Sequence, residues 1–116
     1  MMNVFEDEAE IGRQIGIYGK YDPENLQSRI VECNGCYERS TLDKKVNQLI
    51  LIAVCIAVNS SASIFLSHVK AFYEMGGSRE DLQSTLNMCI LAGGGPALAW
   101  AGAAMEQYDQ LVAAKQ

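Results

Sequence analysis

Two groups in this chain have side chains suited to chemistry. The first is His68, the single histidine and the one side chain whose ordinary titration range spans neutral pH. It stands near the end of a stretch, Val46 to Val69, that contains no Lys, Arg, Asp or Glu. At helical spacing it shares a face with Ser61, Ile64, Phe65, Phe72 and Met75. An imidazole in such a place either moves a proton in a pocket or sits in the core. In the core it would bond a backbone carbonyl or a hydroxyl, and Ser61 and Ser67 are the nearest hydroxyls in sequence. The second group is Cys33-Asn34-Gly35-Cys36. Thiols so spaced can close a disulfide and lower each other's pKa. They can also be half of a zinc site, or apolar fillers near a helix end. A zinc site needs further ligands, and the chain has no second Cys-x-x-Cys. Cys55 and Cys89 fall singly on apolar helix faces, where a free cysteine acts as a small hydrophobe. No metal and no other cofactor is expected.

The elements that must position these groups are helical. Residues 3–19 carry Val4, Ile11, Ile15 and Tyr18 at helical spacing behind an acidic start, Glu6 to Glu10, that reads as a solvated face. Asp22-Pro23 starts a second helix, expected to run to about Cys33 or Tyr37, with Asn34-Gly35 near its end as a pair that can terminate it. A third begins at Leu42-Asp43, capped by Asp43 or Thr41, and runs to Val58. It is apolar on every side between Leu49 and Val58, and such a helix is expected to be buried all round. Asn59 to Ser63 reads as a turn, Ser61 to Met75 as a fourth helix, and Gly76-Gly77 as its stop. Ser78-x-x-Asp81 is a capping-box pattern for a fifth helix, and Pro96 opens a sixth that reaches about Ala114. Met75, Met88, Met105, Phe65, Phe72 and Trp100 read as packing residues. No strand pattern or repeat emerges, so the fold class is an all-α bundle of about six helices in a single domain, residues 1–116.

The totals agree with that reading. The 116 residues are 49% hydrophobic and 20% charged, the composition of a globular domain. A net charge of -5 with scattered basic residues excludes the clustered cations that nucleic acid requires. The apolar run Leu49–Val58 covers ten residues, whereas a bilayer span takes about 20, so no membrane partner is expected. The acidic N-terminus lacks the basic start of a signal peptide, which makes the cytoplasm the expected location. The third and sixth helices present more apolar surface than so short a chain can bury alone, and a homo-oligomer is expected.

The order of these pieces resembles a known family. Leu42-Asp43-x-Lys45-x-x-x-Leu49-Ile50 precedes an apolar helix, then His68-Val69-x-Ala71, Gly76 to Leu82, and Gly93-Gly94-Gly95-Pro96-Ala97. Over about residues 42–104 this is similar to the carboxymuconolactone decarboxylase family, which includes the alkylhydroperoxidase D-like proteins. The resemblance implies an all-α fold that forms trimers or hexamers. In the peroxidase branch it implies a thiol pair four and seven residues before the histidine, which forms a sulfenic acid with peroxide and resolves it as a disulfide. Counted back from His68, those positions are Ser61 and Ile64; anchored on the upstream helix they are Ser60 and Ser63. Neither frame holds a cysteine. The acidic relay the family often carries before Leu-Ile is Gln48 here.

Three readings follow from the residues and the resemblance together. The first is a thiol-dependent peroxidase or disulfide reductase, of peroxiredoxin type, acting on a small molecule through His68, Cys33 and Cys36. The second is a non-catalytic binding or assembly subunit. The third is a carboxy-lyase in which His68 protonates a carbanion-like centre and Lys45, Lys70, Arg79 or the Gly93–Pro96 turn binds the substrate anion.

Overall fold

Helix ends in this chain are written in short-range chemistry. The computed structural model describes the backbone of residues 8–115, and their side chains beginning at residue 12. Its elements are α1 (Glu8–Tyr21), α2 (Pro23–Arg39), α3 (Lys44–Ala57), α4 (Ala62–Glu74), α5 (Arg79–Gly93) and α6 (Gly95–Ala114). No strand occurs among the described residues. Val4, Ile11 and the acidic cluster at Glu6 to Glu10 lie outside the described side chains. Asp22, Asp43, Ser61 and Ser78 each accept a hydrogen bond from the backbone N–H two or three residues on. Each thus satisfies an N–H that an uncapped first turn leaves unpaired.

Two of the stops share one geometry. Asn59, at φ 53°, and Gly76, at φ 84°, adopt the left-handed conformation. Ser60 N–H then reaches back to the Cys55 carbonyl at 2.9 Å, and Gly77 N–H to that of Phe72 at 2.9 Å. This is the Schellman closure of a helix, which uses Gly or Asn because other side chains are strained there.

Sequential helices pack as neighbours: α1 on α2, α3 on α4, α5 on α6. The core forms where α4 meets α3 and α6 and where α5 closes against both. Phe65, Val69 and Phe72 of α4, Ile52 of α3, and Leu82 and Leu86 of α5 are fully enclosed, against Ala101 and Ala104 of α6. Trp100 packs edge-on against Phe65 with centroids 4.8 Å apart. Tyr108 packs edge-on against Tyr73 and donates its buried hydroxyl proton to the Gly77 carbonyl at 2.7 Å. The turn after α4 is thus held from below by α6.

One expectation is decided between its alternatives and two need correction. Of the two ends expected for α2 the later one, near Tyr37, holds: the helix passes Asn34-Gly35 and continues to Arg39, with Ser40 as its extended C-cap. A single glycine costs a helix about 1 kcal/mol, too little to stop one that is well capped at its start. Helix α3 is not buried all round: Gln48, Ile52 and Cys55 face the core, while Ile50, Val54 and Val58 stay 45%, 49% and 67% exposed. Within one chain only a single side of α3 finds partners. Met75 and Met88 are likewise exposed rather than packed in the core.

Gly77 is required by the core beneath it. A Cβ placed there would run into the Phe72 ring, which is fully enclosed and has nowhere to move. Gly77→Ala is therefore expected to lose about 1–3 kcal/mol by overpacking. Urea unfolding followed by circular dichroism measures it, and an unchanged midpoint contradicts this account of the turn.

Candidate functional site

Because α2 runs unbroken through Asn34-Gly35, Arg29, Cys33 and Cys36 fall at spacings of four and three along one face. That face looks onto α3 and α4. Cys33 and Cys36 line one cavity of about 460 Å³ together with Tyr37, Asn47, Leu51 and His68. Both cysteines are free thiols and exposed, which contradicts their reading as apolar fillers. Helix α2 has no buried residue. Its C-terminal end is tied to α3 by polar contacts: the Ser40 hydroxyl donates to Asn47 Oδ1 at 2.8 Å, and Gln48 Nε2 donates to the Tyr37 hydroxyl oxygen at 3.4 Å.

Gln48 connects these contacts to the imidazole. Its carboxamide is only 3% exposed, and a buried amide must find partners on both ends. Its oxygen lies 2.9 Å from His68 Nδ1. A carboxamide oxygen accepts and cannot donate, so Nδ1 carries the proton and Nε2 keeps its lone pair. His68 is half-buried, and burial pushes its pKa below the ordinary histidine value, because the charged form loses hydration. Gln48 supplies no charge to offset that. The ring is therefore neutral at pH 7, in the state that can accept a proton. Its partner is neither Ser61 nor Ser67: Ser61 caps α4, and Ser67 donates to the Ile64 carbonyl at 2.6 Å.

The remaining sequence-selected positions lie apart from this site. Ser61 accepts from the Ile64 N–H at 3.3 Å, Ile64 is 40% exposed, and neither lines the cavity. Ser63, its alternative in the other frame, is buried with no hydrogen-bond partner for its hydroxyl. Lys45 and Lys70 do not line the cavity. Arg79 is engaged at the surface with Asp109, through two contacts of 3.0 and 3.3 Å. Gly93 and Pro96 border a second cavity of about 800 Å³ between α3, α5 and α6, with Ala53, Cys89 and Trp100. Cys55 is buried and Cys89 partly so, and desolvation raises both thiols' pKa values. Among the described residues no cluster of His, Cys, Asp or Glu is arranged to hold a metal ion. No described helix is long and apolar enough to cross a membrane.

Sequence reasoning did not find Tyr37 or Arg29. Tyr37 had a signal, since it adjoins Cys36, but its contact to Gln48 spans two helices. Arg29 lines the same cavity and pairs loosely with Glu32 at 3.5 Å, an exposed contact that contributes little to stability.

The imidazole resonance is expected to titrate with a midpoint below the ordinary histidine value, and stability to fall as pH drops through that range. The sign follows from the folded state binding its proton more weakly than the unfolded chain. Gln48→Glu places an anion at the same hydrogen bond and is expected to move the midpoint upward. Proton NMR of the single histidine reads both, and a midpoint insensitive to Gln48→Glu contradicts the contact.

The model of the carboxymuconolactone decarboxylase family matches residues 23–107. Among solved structures, the crystal structure of an apo carboxymuconolactone decarboxylase family protein from Legionella pneumophila is similar, with a TM-score of 0.80 and 27% sequence identity. The match covers 89% of this chain and 91% of that one. No curated protein matches the sequence significantly. With its matched segment running from the start of α2 into α6, this chain belongs to the carboxymuconolactone decarboxylase family.

Proposed function

We propose that the protein is a thiol-dependent peroxidase, of the alkylhydroperoxidase D-like kind, whose redox pair is Cys33 and Cys36. One observation carries the reading: both thiols share a cavity with an imidazole that is hydrogen-bonded to Gln48. In the first step His68 takes the proton of one thiol, and the thiolate attacks a peroxide oxygen. An S–O bond forms, the O–O bond breaks, and the leaving alkoxide recovers the proton from His68. The second thiol then attacks the sulfenic sulfur. An S–S bond forms, the S–O bond breaks, and the hydroxyl leaves as water. An external dithiol reduces the disulfide by exchange and completes the cycle. Cysteines three apart on a helix suit this step: side chains at that spacing are neighbours, with Cβ atoms about 5–6 Å apart, and a disulfide needs about 3.8 Å. Gly35 between them makes the turn easier to tighten.

We also propose that the protein works as a homo-oligomer, a trimer or hexamer. Val46, Ile50 and Val54 form a four-residue-spaced apolar ridge on the outside of α3, with Leu42 just before the helix and Val58 at its C-cap, each at least 39% exposed. Rows at that spacing interdigitate with a copy of themselves in helix packing. Ile50 belongs both to this ridge and to the cavity wall, so a subunit seated there would border the thiols. The cytoplasm, where thiols stay reduced, suits this chemistry.

Peroxide consumption coupled to a dithiol is expected to fall to background in Cys33→Ser, and by about 10² or more in His68→Ala, the contribution of a positioned base. Wild-type turnover persisting in Cys33→Ser removes the reading. Light scattering at micromolar concentration is expected to give an oligomer that Val54→Glu dissociates, whereas a monodisperse wild-type monomer refutes the assembly.

A further inference from the structure

Tyr37 follows Cys36 directly in α2 and touches the proton relay from the other side. Its hydroxyl oxygen accepts from Gln48 Nε2 at 3.4 Å, and Gln48 Oε1 accepts from His68 Nδ1 at 2.9 Å. Side chains of α2, α3 and α4 thus form one hydrogen-bonded series whose first member is covalently next to a thiol of the pair. The first bond is long, near the outer limit for N–H to oxygen. The helix that carries it has no buried residue, and it is held chiefly by its packing on α1 and by the Ser40–Asn47 contact.

We propose that Tyr37 is a positioning residue that makes the state of His68 depend on the redox state of Cys33 and Cys36. The proposal rests on the thiol reading above. Closing the disulfide draws two Cβ atoms from about 5–6 Å to about 3.8 Å. That tightens the turn 33–36 and displaces the residue attached to it. A bond already at 3.4 Å breaks when its acceptor withdraws. Gln48, enclosed and left without an acceptor for its N–H, turns to find one, since an unmade bond in the interior costs about 1–3 kcal/mol. His68 Nδ1–H then loses its oxygen partner. An acceptor at Nδ1 favours the charged ring, so losing it weakens the base further. The reduced pair is thus served by a well-held base, and the disulfide releases it. The relay itself consists of Tyr37, Gln48 and His68. The charged or titratable neighbours that line the cavity with His68 are Arg29, Glu32, Cys33, Cys36 and Tyr37, all on α2, while α3 contributes only uncharged side chains.

The test uses the full chain without a histidine tag, labelled with ¹⁵N, so that every imidazole signal belongs to His68. The protein is kept reduced with excess dithiol, or oxidised with diamide, which takes up two electrons and two protons as the two thiols become a disulfide. Mass spectrometry confirms the loss of two hydrogens and its location at Cys33 and Cys36. In wild type the His68 titration midpoint is expected to be lower, and the Nδ1 shift different, in the oxidised form. In Tyr37→Phe, tolerated at a half-exposed ring, both forms are expected to titrate alike. Gln48→Met is expected to abolish the difference as well, which keeps the test independent of any one variant's folding. A disulfide that forms without moving His68 overturns the proposal. So does a difference that survives in both variants, which would mean the sulfurs act on the ring directly. If no Cys33–Cys36 disulfide forms, the proposal and the thiol reading fall together. If it forms and His68 responds but peroxide is not consumed, only the peroxidase function falls.

Discussion

A carboxamide enclosed in the body of a helical bundle has to be hydrogen-bonded, and that constraint organises this molecule's site. Gln48 is the one polar side chain buried on α3. Each of its ends left unpaired would cost about 1–3 kcal/mol. Its oxygen is answered by His68 of α4, its nitrogen by Tyr37 of α2. One side chain therefore sets the imidazole tautomer, and it also ties the thiol-bearing helix to the body of the bundle. Without it, α2 near the cavity would keep mainly the Ser40–Asn47 contact.

The neutrality of that relay has a chemical consequence. A carboxylate at the same point would hold the ring partly charged and ready to donate. An amide holds orientation without charge, and burial alone then sets the titration, downward. The result is a base at neutral pH, suited to taking a proton from a thiol. The thiols sit on the least buried of the helices that line the cavity. Segments with few buried contacts open most readily, which suits the proposed redox cycle, in which the turn 33–36 would tighten on disulfide formation and relax on reduction.

Family membership and chemistry are separate matters in this chain. The six-helix scaffold agrees with the carboxymuconolactone decarboxylase family. At the positions where the resemblance, counted back from His68, implies sulfurs, Ser61 caps α4 and Ile64 is 40% exposed, and the other frame holds Ser60 and Ser63. A cap hydroxyl of that kind is worth about 1 kcal/mol of helix stability. It cannot cycle through sulfenic acid. The same scaffold brings a different Cys-x-x-Cys to the same imidazole from another helix, as expected if sites rather than folds carry function.

Local chemistry was legible in the residues themselves. The caps at Asp22, Asp43 and Ser78, the stop at Gly76-Gly77 and the turn at Gly93–Pro96 depend on neighbours two to four positions away, and such rules can be read along a chain. The helical class and the suspicion attached to His68, Cys33, Cys36 and Gln48 came from the same kind of reading. What only the tertiary structure decided was how far α2 runs, which side of α3 is covered, and which partner His68 takes. The first turns on whether one glycine outweighs a capped helix. The other two turn on which helices meet, since Tyr37, Gln48 and His68 come from three different elements. Hydrogen bonds between elements leave no spacing rule in the sequence, so the Tyr37–Gln48–His68 series became visible only once the chain was folded.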